Sequence, residues 1–163
     1  EEVLVVRVHP EIIESQKLPP ETFEGGDFWQ NRYRSIVDLE DHLHRNGTVI
    51  AKFFLHLSKE EQRKRFLARI NRPEKNWKFA TADLAARKQW DEYMKAYEEA
   101  IGATSTPSSP WYIIPADNKR NARLIIAQTI VETLGALKMK YPEVSKSRLK
   151  ELKAIRKNLM NQR

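Results

Sequence analysis

Two short apolar runs, TVIAKFFLHL at residues 48–57 and WYIIPA at 111–116, constrain this chain more than any other feature. Neither alternates apolar with polar residues. A strand with one face in water does alternate, so an unbroken run reads as a strand buried on both faces, the habit of a parallel sheet. Each run passes through a polar segment into a helical pattern. Strands that alternate with helices predict an α/β layer fold with a parallel sheet. Two strands are few, since most sheets have about 4 to 6. The chain also opens at Glu1, directly into the apolar EVLVVRV. Together these features predict a piece of a longer domain.

The remaining segments follow from local chemistry. EEVLVVRVHP is β-branched and reads equally as a strand or a helix. KLPPETFEGGD, rich in Pro and Gly, is a loop. Trp29, Tyr33, Ile36, Val37 and Leu43 recur at helical spacing, and Gly47 stands where that helix would end. Ser58 with Glu61 forms a capping box, and Phe66, Leu67 and Ile70 form the packing stripe of the helix it opens. Arg65, Arg69 and Arg72 lie at i, i+4 and i+7 on an adjacent face, and Pro73 stops the helix. EKNWKFA is a connector. One long helix is expected from about Thr81 through Trp90, Tyr93, Met94, Tyr97 and Ile101. After the loop GATSTPSSP and the second strand, Asp117 or Asn118 caps another helix. Beyond Pro142 comes a basic amphipathic helix with Leu149, Leu152, Ile155 and Leu159.

Charge is unevenly placed. Residues 138–163 carry nine Lys/Arg against two Glu, which accounts for the whole net charge of +7. Within the neutral remainder, residues 58–90 hold ten Lys/Arg against four Asp/Glu. Both basic territories attract polyanions, although an arginine-rich helix face is more often simply solvated. With no cysteine, disulfides and thiolate metal sites are excluded. No run approaches the ~18 apolar residues of a membrane span. His9, His42, His44 and His56 are scattered, and no metal ligand set is expected from them. In open parallel sheets, ligands sit beyond the carboxyl ends of the strands. There the first strand delivers Arg65, Arg69, Arg72, Lys75 and Lys78, side chains suited to phosphate oxygens.

GTVIAKFFLHLSKEEQRKRFLARINRPEKNWKF, DLAARKQWDEYMKAYEEAIGATSTPSSPWYIIPADNKRNAR and VLVVRVHPE, in that family's order, resemble the polyphosphate kinase 2 family from at least Val3 to Leu137. The resemblance implies a P-loop kinase-like three-layer α/β/α fold with a parallel sheet. It also implies phosphoryl transfer between inorganic polyphosphate and nucleoside mono- or diphosphates, with Mg²⁺ held by the half of the enzyme that this sequence lacks. None of the five glycines stands in a G-x-x-x-x-G-K-[ST] pattern. The chain is therefore expected to be the carboxyl-terminal portion, inactive alone, with a helical lid at about 58–90 inside a domain spanning 1–137 and a helical tail at 138–163. Under the resemblance Arg65 and Arg69 are phosphate clamps of the lid, and Arg72, Lys75 and Lys78 weaker ones. Asp117, Asn118 and Lys119 fall beside the nucleotide base, and Arg7 near the phosphate site. Ala80 stands where a capping serine is expected, and VLVVRVHPE becomes helical. A cytoplasmic homo-oligomer is expected. The competing reading is a basic nucleic-acid or polyanion-binding module, for which no recognised motif is present.

Overall fold

The computed structural model describes residues 2–162. They form two compact units that meet within one helix, between Ile126 and Ala127. The first unit begins with two short helices, α1 (Val5–Val8) and α2 (Glu11–Ser15), and the long α3 (Phe28–Arg45). Strand β1 (Lys52–His56) leads into α4 (Lys59–Ile70), a 3-10 turn (Pro73–Lys78), α5 (Thr81–Lys88) and α6 (Trp90–Thr104). Strand β2 (Trp111–Pro115) then leads into α7 (Lys119–Ala136). The two strands pair in parallel, with Lys52 opposite Trp111 and His56 opposite Pro115. The parallel sheet of an α/β fold is therefore present.

The core lies where α1, α3 and α6 meet. Val3, Tyr33 and Ala100 are buried, with Leu4, Trp29 and Ile36 packed against them. This packing decides the ambiguous first segment: Val6 is 3% exposed in α1, so tertiary burial overrides the β preference of valine. On the sheet, Phe54 meets Tyr97 of α6 at 4.6 Å between ring centroids, and Ile114 is 2% exposed.

Three expectations are corrected. The strands are not buried on both faces among the described residues: Leu55 and Ile113, which the register places on opposite faces, are each more than half exposed, so each face is only partly covered. Leu67 and Ile70 of α4 are exposed as well, and of the expected stripe only Phe66 finds an aromatic partner, edge-on against Phe79 at 5.6 Å. The single long helix from Thr81 is two helices. Gln89 leaves helical geometry (φ −89°, ψ 25°), and its N–H donates to Ala86, an i→i−3 bond. Arg87 holds α5 toward α4 by donating to the Lys59 carbonyl (2.7 Å) and the Gln62 side chain (2.8 Å). Ala80 has no acceptor side chain for the first turn of α5, and only the reciprocal bond forms, from the Ala80 N–H to Asp83 (3.3 Å).

The second unit holds the rest of α7 and α8 (Lys146–Asn161). Ser145 caps α8, its hydroxyl accepting the Arg148 N–H at 3.2 Å. Leu149, Leu152, Ile155 and Leu159 form the expected apolar stripe and are exposed.

Candidate phosphate-binding site

Parallel pairing brings the carboxyl ends of β1 and β2 side by side, so the turns that follow them touch. After β1, Ser58 caps α4 by accepting the Glu61 N–H at 3.1 Å. After β2, Asn118 accepts the N–H groups of Arg120 (3.0 Å) and Asn121 (3.1 Å) and so caps α7. Asp117 does something else. Its carboxylate reaches across to the other turn and accepts the Ser58 N–H at 2.7 Å. Arg65 closes the same junction from α4, donating to the carbonyls of Ala116 (2.8 Å) and Asp117 (3.2 Å), while its Nε pairs with Glu61 at 2.9 Å.

The Ser58 N–H and hydroxyl hold the Asp117 carboxyl below the usual carboxylate range, helped by the nearby Arg65 and His56 charges. A carboxylate depressed in the folded state stabilises above its unfolded value and loses that contribution as pH falls through its folded value. The Ser58 amide resonance is therefore expected to titrate with a midpoint below that of an ordinary aspartate. The titration should be absent in Asp117→Asn. A midpoint at or above the ordinary value would contradict the contact.

Beside this junction lies a cavity of about 250 Å³ lined by Arg65, Ala68, Arg69, Lys75, Lys78 and Lys119. Helix α4 supplies the first three, with Ala68 and Arg69 one turn on from Arg65. The 3-10 turn supplies the lysines because it folds back: the Asn76 amide donates to the last carbonyls of α4, Arg69 (3.0 Å) and Ile70 (2.6 Å). Lys119 comes from the first turn of α7. The lining holds five cationic side chains and no carboxylate. Guanidinium forks and ammonium donors around a cleft of this size suit several phosphate oxygens at once. A second cavity of about 480 Å³ lies beyond the strand ends, lined by His56, Ser58, Pro115, Ala116, Asp117, Asn118, Asn121 and Ile125.

Five of the nine sequence-derived residues thus share one cleft. Asp117 and Asn118 border the adjoining one, already engaged with Ser58 and the first turn of α7. Arg72 is exposed at the start of the 3-10 turn and lines neither cavity. Arg7 lies elsewhere, paired with Glu99, donating to Tyr33 (3.0 Å) and stacked 4.8 Å from the Trp29 ring centroid. Sequence reasoning overlooked Asn76 and Asn121. An Asn three residues beyond a helix-stopping proline was the available signal for the first.

Residues 21–143 match the family model for polyphosphate kinase 2 (PPK2). This chain belongs to the polyphosphate kinase 2 family. The ADP-polyphosphate phosphotransferase of Rhodopseudomonas palustris is 60% identical over 160 residues, covering 98% of this chain and 55% of that protein. The AMP/ADP-polyphosphate phosphotransferase of Meiothermus ruber is 46% identical over 143 residues, covering 88% and 49%. The crystal structure of polyphosphate kinase 2 from Arthrobacter aurescens TC1 superposes with a TM-score of 0.79 at 35% identity, over 96% of this chain and 51% of that one. The chain spans about half the length of these polyphosphate kinase 2 relatives. All five cations of the basic cleft fall within the PPK2-matched segment, whereas Arg7 precedes it.

Proposed function

We propose that this chain forms the phosphate-clamping part of a polyphosphate:nucleotide phosphotransferase, acting on inorganic polyphosphate and a nucleoside mono- or diphosphate. The observation that carries the reading is the carboxylate-free cleft of Arg65, Arg69, Lys75, Lys78 and Lys119 at the strand ends. In phosphoryl transfer the protein mainly positions the reactants and offsets charge on the equatorial oxygens. Arg65 and Arg69 serve that role as clamps, and the lysines neutralise the neighbouring phosphates. Residues 58–90 act as the lid of a domain spanning 1–137, and 138–163 as a tail. The tasks proposed for Arg7 and Arg72 are secondary, since neither lines the cleft.

The resemblance assigns Mg²⁺ to the part of the relatives that this chain does not span, and the residues of the basic cleft would not hold it. Magnesium is held by one or two carboxylates together with substrate phosphates. The basic cleft has no carboxylate, Asp117 is already bonded to Ser58, and no group of three or more His, Asp or Glu among the described residues could hold a metal. A homo-oligomeric state and a cytoplasmic location belong to the same reading. No helix among the described residues is long and apolar enough to cross a membrane.

Calorimetric titration with tripolyphosphate at about 0.15 M salt tests the clamp. Binding is expected to weaken roughly 10-fold or more in Arg69→Ala/Lys78→Ala, since hydrogen bonds to charged groups contribute about 1.5–3 kcal/mol each. It should persist when the tail lysines Lys146, Lys150, Lys153 and Lys157 are changed to Gln. The opposite pattern, binding lost with the tail and kept without the cleft pair, would make the tail a nonspecific polyanion contact and remove the basis of the reading.

A further inference from the structure

Trp77 is 78% exposed, on the same 3-10 turn that delivers Lys75 and Lys78 to the basic cleft. The other three tryptophans are at least partly buried and packed: Trp29 against Phe28 and Arg7, Trp90 in the apolar lining beside Phe54, and Trp111 donating to Thr104. Leaving an indole in water forfeits the burial that normally places this residue inside. Yet Trp77 is held. Its Nε1–H donates to the Glu74 carbonyl at 3.2 Å, and the Lys78 ammonium sits 4.8 Å from its ring centroid. The turn carrying it is tied to α4 through the two Asn76 bonds. The ring therefore has its polar atom satisfied and one cationic neighbour. That neighbour, Lys78, also lines the cleft.

We infer that Trp77 is a stacking platform for the base of the nucleotide whose phosphates enter the basic cleft. The inference rests on the phosphate-clamp reading above and deepens it, and it takes the base away from Asp117 and Asn118, whose side chains are engaged with Ser58 and the first turn of α7. A nucleotide carries its negative charge at one end and an aromatic face at the other. Lys78 belongs to both environments, so phosphates beside it place the ribose and base on the side of the indole. Stacking uses the π-face that every base has and no hydrogen-bond pattern, so it tolerates base identity. The platform thus predicts acceptance of purines and pyrimidines, with purines bound more tightly through their larger faces.

The test titrates the full chain with ADP, UDP, ribose 5-phosphate and tripolyphosphate, comparing the natural sequence with Trp77→Ala and Trp77→Phe. Base stacking is worth about 5- to 150-fold in Kd by alanine substitution. Trp77→Ala is expected to weaken ADP by that factor and UDP by less, leaving ribose 5-phosphate and tripolyphosphate within about 2-fold. Trp77→Phe, which keeps an aromatic face, is expected to stay near the natural value for ADP. Tryptophan fluorescence should be quenched by ADP and not by tripolyphosphate, and the quench should vanish in both variants. Equal ADP affinity in the natural chain and Trp77→Ala, with tripolyphosphate still bound, overturns the platform and leaves the clamp standing. Equal weakening of ADP and tripolyphosphate in Trp77→Ala overturns it too, by making Trp77 a support of the turn. Failure of the natural chain to bind tripolyphosphate overturns the clamp, and the platform with it, whereas failure to bind ADP with tripolyphosphate still bound overturns the platform alone.

Discussion

Arg65→Ala and Arg69→Ala are expected to differ in kind, although the two arginines sit one turn apart on α4 and line the same cleft. Arg69→Ala should weaken tripolyphosphate roughly 10-fold and leave the urea midpoint almost unmoved. The contacts its side chain leaves are a stack 5.8 Å from the Phe66 ring centroid and the cleft itself. Arg65→Ala should lose affinity and also about 2–4 kcal/mol of stability. Its guanidinium joins α4 to the β2–α7 junction through the Ala116 and Asp117 carbonyls and balances Glu61, and the side chain is only 25% exposed. Hydrogen bonds to charged groups contribute about 1.5–3 kcal/mol each, and a buried acceptor left empty adds its own penalty. Ala116 is 6% exposed, so water reaches that part of the junction poorly. Arg65→Lys should restore part of the affinity and little of the stability, because an ammonium cannot reproduce a fork that bonds Glu61 and two carbonyls together. Urea melts and calorimetry on the three variants decide the matter. An unchanged midpoint in Arg65→Ala would mean that the junction does not depend on this side chain.

The difference shows which parts of the site can be read from sequence. The spacing of Arg65 and Arg69, the Ser58–Glu61 cap, the stop at Pro73 and the two strand cores are set within a few residues of themselves. They survive into the structure nearly unchanged, except that only half of the expected capping box forms: the Ser58 N–H goes to Asp117 and the Glu61 carboxylate to Arg65. Asp117 and Asn118 are both good cap residues, and nothing local separates them. What separates them is Ser58, 59 residues away, which takes one carboxylate and leaves Asn118 to the helix. Lys75 and Lys78 reach the cleft because Asn76 folds the turn back onto α4, a bond that spacing does not announce. Their suitability for phosphate was read from their place beyond the first strand, and the family resemblance added their role in the lid. Burial was the least legible quantity. An apolar run says that a strand can be covered, but whether Leu55 and Ile113 are covered depends on what packs against them, and that is not local information.

The second large effect concerns Lys52, which opens β1. Its ammonium donates to both oxygens of Glu40 on α3 (2.7 and 2.6 Å) and to the Thr104 carbonyl at the end of α6 (2.7 Å). One cation thereby uses all three of its protons to join the first strand to two helices, and the Trp111 ring centroid lies 5.3 Å away. Both side chains of the ion pair are nearly out of reach of water, at 13% and 12% exposure. Removing the cation strands a buried carboxylate, and breaking such a pair from one side costs about 3–5 kcal/mol. Lys52→Met is therefore expected to lose that much in urea unfolding, a large share of a domain's marginal stability. The double variant Lys52→Met/Glu40→Leu should recover most of the loss. Replacing a buried pair by apolar groups of similar size is often neutral or stabilising, and here only the Thr104 carbonyl goes short, at about 1–3 kcal/mol. If Lys52→Met alone stayed within about 1 kcal/mol of the natural chain, the Glu40 carboxylate would have found water or another donor, and the ion pair would not be what holds β1 to α3 and α6. If the single variant falls and the double does not recover, the geometry of the three bonds, beyond their charge balance, fixes the strand against its helices.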